Sequence, residues 1–223
     1  MITLLSHIFF FTKDYALIVQ RHFQSLIYNN PPTHWKIGTK GDVVVIPGYM
    51  EKWVFLRTLA EFLNKLGYRV HILRSLEKNV HSIEDSAQIV TAYIAEKQLH
   101  RVILLSHSQG GLVAKLLLDN PKSVDAIDTS ISVAIPYGGT VWGYLYYFGL
   151  KDLRPDSDMI RRMKSNSAVH NKVLNIFPKY DNHVIPHNNL ILEGAKNICL
   201  DVTGHTNILE SPLTRHAIAE HLS

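Results

Sequence analysis

Three residue types that can together carry out acyl transfer occur in a fixed order along this 223-residue chain. A short apolar run, Val102-Ile103-Leu104-Leu105, passes directly into Ser106-His107-Ser108-Gln109-Gly110-Gly111, and a helical pattern follows from about Gln109 to Leu118. A serine between a buried strand and a helix, with small residues two before and two after it, has the form of a nucleophile elbow. The sharp turn strains the serine backbone and lifts its hydroxyl above the strand end. The helix N-terminus behind it favours negative charge. Glycine is usual two residues before such a serine, and Ser106 is a small replacement for it.

A hydroxyl attacks a carbonyl only when a base removes its proton. Thirteen histidines are spread along the chain, so position rather than presence singles one out. His205 follows an apolar strand pattern at 196–202 and the small Gly204, late in the chain. Its tautomer needs a carboxylate. Asp181 follows the strand pattern of 172–177, on the side of a sheet where sites form, and Asp128 and Asp201 are its rivals. The order Ser108, Asp181, His205 is that of one hydrolase class and of neither other familiar protease arrangement. Two N–H donors complete such a centre. The N–H of Gln109, directly after the serine, supplies one. The N–H of Tyr49 in the Pro47-Gly48-Tyr49-Met50 turn supplies the other, with Met50 as the alternative.

These residues need a sheet to hold them. Val43 to Ile46, Arg69 to Leu73, Val102 to Leu105, Ser130 to Ile135, Lys172 to Phe177 and Lys196 to Val202 read as strands. Helical spacing runs between several of them, at 55–66, from Ser82 with Asp85 as a near capping box, and after Ser108. A last helix covers Leu213 to Leu222. Continuously apolar strands alternating with helices predict an α/β fold, a mostly parallel sheet with helices on both faces. The segment 137–168 breaks the alternation and reads as a short cap insertion. Its rings Trp142 and Tyr144, with Met159 further on, are the expected substrate-binding residues; the alternative for the aromatic cluster 142–148 is ordinary core.

The chain resembles the lipase and esterase branch of the α/β-hydrolase superfamily, and also the deacylases that act on inositol-linked acyl chains. The resemblance runs from about Val43 to the C-terminus. It rests on Pro-Gly-Tyr at 47–49, Ser-His-Ser-Gln-Gly-Gly at 106–111, Ile-Pro-Tyr-Gly-Gly-Thr at 135–140, Asp-Leu-Arg-Pro-Asp-Ser at 152–157, Asp-Asn-His-Val-Ile-Pro at 181–186 and Gly-His at 204–205. Ile135 departs from a threonine common in such lipases, and Pro47 from a common histidine. The resemblance implies an ester hydrolase working without a cofactor, on a small-molecule or lipid ester. A thioesterase or acyltransferase on the same residues, or a non-catalytic protein that kept the fold, are the alternatives.

Composition narrows the remaining classes. The 23 basic residues against 19 acidic ones are scattered, so no nucleic-acid footprint is formed. Asp181, His183 and His187 could suggest a metal, but Pro186 keeps the last two off one helix face, and none is expected. The single cysteine, Cys199, sits in an apolar run and reads as a core residue compatible with a reducing, cytoplasmic setting. Residues 1–30 form a separate N-terminal helical segment ahead of one domain at 31–223. Leu4, Ile8, Phe11, Tyr15, Ile18, His22 and Leu26 form its apolar stripe, expected to pack on the domain's own core. The second reading of residues 1–28 is peripheral contact with a membrane.

Overall fold

Strand β3 (Val102–His107) is the centre of the molecule, and all six of its residues are buried. Its apolar side chains alternate between two cores, as the two-residue period of a strand requires. Val102 and Leu104 pack with one set of helices, and Ile103 and Leu105 with the other. The computed structural model describes the backbone of residues 4–145 and 150–223, with side chains from residue 11 onward.

β3 belongs to a six-stranded sheet in the order β2-β1-β3-β4-β5-β6. The other strands are β1 (Asp42–Ile46), β2 (Arg69–Ile72), β4 (Ile127–Val133), β5 (Val173–Tyr180) and β6 (Lys196–Thr203). Every pairing is parallel. Helices α3 (Ile83–Glu96), α4 (Gly110–Asp119) and α5 (Asp158–Met163) build one core. Helices α2 (Arg57–Lys65), α6 (Asn207–Glu210) and α7 (Pro212–Leu222) build the other. The Ser82 hydroxyl accepts the Asp85 N–H at 3.0 Å, which caps α3 where the sequence marks its start.

Two expectations need correction. Cys199 is exposed, not a core residue. β6 is the edge strand and only one of its faces is packed, by Ile198, Leu200 and Val202. Cys199 lies on the opposite, open face, so helices do not cover both sides there. The N-terminal helix α1 (Leu4–Ile27) also differs from the expected stripe. Ile18 packs on the second core, but Tyr15 and Leu26 are exposed. Among its described side chains, the two that α1 buries most fully are polar, Asp14 and Ser25. Leu4 and Ile8 have side chains outside the described residues.

The sheet order reverses between β1 and β3, because the chain winds outward through β2 before returning to the other side of β1. Loops leaving the carboxyl ends of two such strands diverge and open a crevice. Tyr49 follows β1 and Ser108 follows β3.

Candidate functional site

Ser108 has φ 50°, in the left-handed region that non-glycine residues rarely occupy. The conformation is held by its surroundings. The Ser108 N–H donates to the Val133 carbonyl at 3.1 Å, and its own carbonyl accepts the Gly111 N–H at 3.0 Å. Gly110 packs so closely against β1 that a Cβ there would lie 2.3 Å from the Ile46 carbonyl oxygen. The glycine two residues after the serine is thus a condition of the turn. Ser106 is fully buried in the equivalent position on the other side.

His205 is 2% exposed, and its Nδ1–H donates to Asp181 at 2.8 Å to Oδ2 and 3.1 Å to Oδ1. That bond fixes the tautomer in which Nε2 is an acceptor. His205 Nε2 is buried, makes no hydrogen bond within the protein, and belongs to a residue lining the same cavity as Ser108. Burial works against charge on His205, but the Asp181 carboxylate outweighs it, with Asp14 and Glu51 adding to the effect. The imidazole is raised above its ordinary range. Burial also works against the Asp181 charge, and His205 together with the N–H groups of His183 and Val184 reverses this, lowering the carboxyl. Asp181 Oδ1 accepts those two N–H groups at 2.7 and 2.8 Å. The aspartate therefore closes its own turn and holds the histidine at once. The rival carboxylates lie elsewhere: Asp128 pairs with Arg101, and Asp201 with Lys179, both on the surface.

The backbone around His205 is equally constrained. Its N–H donates to Asn182 Oδ1 at 2.9 Å. The preceding Gly204 has φ 109°, and a Cβ there would come 2.5 Å from Asp14 Oδ1. The glycine leaves room for a carboxylate from α1. Asp14 Oδ1 accepts the N–H groups of Thr206 and Asn207 at 2.8 and 2.7 Å, capping α6 from another helix.

A second buried carboxylate–imidazole pair stands beside the first and was not legible in the sequence. His107, fully buried, donates from Nδ1 to both oxygens of Glu51 at 2.9 Å. Its Nε2 donates to the His205 carbonyl at 3.2 Å. Glu51 Oε2 also accepts the Gly48 N–H at 2.8 Å. Burial opposes the Glu51 charge, and His107 with the Gly48 bond lowers the carboxyl below its usual range. One bridge thus ties the turn after β1, the elbow and the His205 loop. The signal available was a carboxylate three residues beyond Gly48 and a histidine directly before Ser108. The His183 ring lies 4.6 Å from the His205 ring, tilted by 32°; burial and the His205 charge lower its pKa to about 3, so it stays neutral there.

Tyr49 lines the cavity, and a Cβ on Gly48 would lie 3.1 Å from the Ser108 Cβ, so this turn abuts Ser108. Gln109 is buried directly after Ser108. Met50 is exposed with φ 59°. The cavity holds about 380 Å³. Trp142 lines it, joined by Leu150 and Leu153 from the same insertion. Tyr144 and Met159 do not line it. Tyr144 is exposed beside Arg154. Met159 is buried in the core because α5 docks on α4 rather than over the cavity. Lys115 anchors that dock, its Nζ donating to Asp119 at 2.7 Å and to the Ser165 carbonyl at 3.2 Å. The aromatic residues 146–148 of the insertion lie outside the described residues. His187 bonds the Pro178 carbonyl instead of turning toward Asp181, and among the described residues no cluster is arranged to hold a metal.

No family model matches the chain, and no curated protein does. Solved structures do. The mature form of the Bacillus licheniformis lipase BlEst2 superposes with a TM-score of 0.65 at 16% identity, over 87% of this chain and 95% of that one. A structure of the metagenome-derived lipolytic enzymes LipS and LipT gives 0.58 at 16%, over 83% and 94%. The mouse α/β-hydrolase domain-containing protein 10 gives 0.58 at 13%, over 83% and 89%. With the parallel sheet and the strained serine at its switch point, these likenesses define the architecture: the chain has the α/β-hydrolase fold.

Proposed function

We propose that the chain is a carboxylic ester hydrolase with Ser108 as nucleophile, His205 as base and Asp181 as the carboxylate that orients it. The observation that carries this reading is the disposition of His205. One ring nitrogen is committed to Asp181, and the other is without a partner on the cavity that Ser108 lines. Ser108 Oγ gives its proton to His205 Nε2 as the Oγ–carbon bond forms. The carbonyl oxygen takes up the negative charge, and the N–H groups of Tyr49 and Gln109 receive it. When the ester C–O bond breaks, His205 returns the proton to the leaving alcohol. Water then repeats the sequence and releases the acid.

The cavity wall favours an apolar acyl group. Ile18, Phe55, Trp142, Leu150 and Leu153 line it, and its neutral His183 adds no charge. Each methylene buried there contributes about 0.8 kcal/mol, so kcat/KM should rise roughly fourfold per carbon until the space is filled. The test is a series of p-nitrophenyl esters from acetyl to palmitoyl. The reading requires turnover that rises from acetyl onward and disappears in a folded Ser108→Ala chain. Turnover retained by that variant removes Ser108 from the mechanism, and a flat profile removes the acyl-binding wall.

A further inference from the structure

Helix α1 is inverted relative to an ordinary surface helix. Besides the apolar Ile18, the side that faces the domain is held by polar groups: Asp14 caps α6, Arg21 pairs with Glu210, and the Ser25 carbonyl accepts from Lys52 at 3.2 Å. The side that faces solvent carries an apolar stripe beside the exposed Lys13 and Gln20. Val19 is 68% exposed, Phe23 63% and Leu26 74%, with Tyr15 and Ile27 also exposed. At 100° per residue these five fall within one third of the helix circumference, a continuous stripe roughly 18 Å long. The only acidic residue of α1 is Asp14, and it is buried, so the outer surface carries no negative charge.

The stripe is continuous with the mouth of the candidate site. Tyr15 lines the cavity and lies with its ring 5.8 Å from His183. Two residues beyond His183, the exposed Ile185 accepts the N–H of the exposed Val141 at 2.9 Å, and Leu145 of the cap segment is exposed as well. Apolar side chains thus border the opening on both the α1 side and the cap side. Toward its start the helix continues in sequence through Leu4, Leu5, Ile8, Phe9 and Phe10, with no charged residue before Lys13.

From this we infer that the outer face of α1 docks on an anionic phospholipid surface, with the cavity mouth turned toward the bilayer. An inverted amphipathic helix with apolar outer residues and no exposed acid is suited to the interface of headgroups and acyl chains. A second copy of the chain is a poorer occupant: a stable interface takes about 20–30 residues a side, and this stripe offers five. Among the described residues no helix is long and apolar enough to cross a membrane, so the contact is peripheral. Delivery of a membrane-borne ester to Ser108 rests on the ester-hydrolase reading; the docking does not.

The experiment is co-sedimentation of the full chain with phosphatidylglycerol–phosphatidylcholine vesicles. It compares wild type, Ser108→Ala, the triple variant Val19→Ser/Phe23→Ser/Leu26→Ser and the apolar control Val19→Leu/Phe23→Leu/Leu26→Val. Wild type, Ser108→Ala and the apolar control should bind alike. The triple variant should partition at least tenfold less while hydrolysing p-nitrophenyl acetate as wild type does. Failure of the wild type to bind, or equal binding by the triple variant, overturns the proposal. So does a wild-type dimer, abolished in the triple variant, that forms in place of vesicle binding. Because binding is read on Ser108→Ala as well, loss of the hydrolase reading alone leaves this result standing.

Discussion

Two buried carboxylate–imidazole pairs sit side by side in this protein, with the His107 and His205 rings 4.8 Å apart, and they are put to opposite uses. In the Asp181–His205 pair the outer ring nitrogen is left without a partner at a cavity. In the Glu51–His107 pair the outer nitrogen is spent on a backbone carbonyl, and that carbonyl belongs to His205. Each pair joins a carboxylate to an imidazole Nδ1; what differs is whether the outer nitrogen remains open. The first pair can therefore transfer a proton, while the second fixes three loops relative to one another. Glu51 reaches Gly48 on the side where the oxyanion would lie, and His107 reaches the His205 loop.

The largest effect should come from breaking the first pair. An amide at position 181 favours the wrong tautomer of His205, and Asp181→Asn should lower kcat about ten-thousandfold. Loss of that size in Asp128→Asn with little change in Asp181→Asn would mean a different carboxylate orients His205. Glu51→Gln should act more mildly. It removes the charge but keeps the shape, and a small displacement of Gly48 and His205 should cost kcat roughly a hundredfold with KM little altered. A rise in KM at unchanged kcat would instead make Glu51 a substrate contact.

pH separates the two pairs further. In the proposed mechanism His205 acts as a base only when neutral, so kcat/KM should fall as pH drops through its pKa. That pKa is raised in the folded protein, and the acid limb should therefore lie above the ordinary histidine value of about 6.5. Asp181 raises it most and Glu51 also contributes, so Glu51→Gln should move the limb to lower pH. A purely structural Glu51 would weaken activity without moving it. The smallest effect concerns Asp14. Asp14→Ala removes the cap of α6 and should cost about 1 kcal/mol of stability, seen as a lower Tm, with a modest fall in kcat. An unchanged Tm would mean that α1 does not hold the His205 loop.

The elbow was legible because its strand, strained serine and helix are contiguous in sequence. Asp181 and His205 were legible from chain order, since loops after successive parallel strands meet at one end of the sheet. Glu51 and His107 lie 56 positions apart, and only the β1–β3 pairing brings them together. Met159 was misplaced because spacing gives a helix its faces but not the neighbour it docks on. The same holds for α1: the stripe read from periodicity shares only Tyr15 and Leu26 with the exposed apolar face, while the bonds of Asp14 to the α6 N–H groups and of Lys52 to the Ser25 carbonyl hold another side inward. Cys199 was misread because an apolar run cannot tell a central strand from an edge strand with one open face.

Covalent labelling by a fluorophosphonate probe tests whether Ser108 is an activated nucleophile. Peptide mass analysis of the labelled wild-type chain should find the adduct on Ser108, at a rate that falls steeply in Asp181→Asn. A wild-type chain that stays unlabelled, or a folded Ser108→Ala chain that labels as well as wild type, would contradict it.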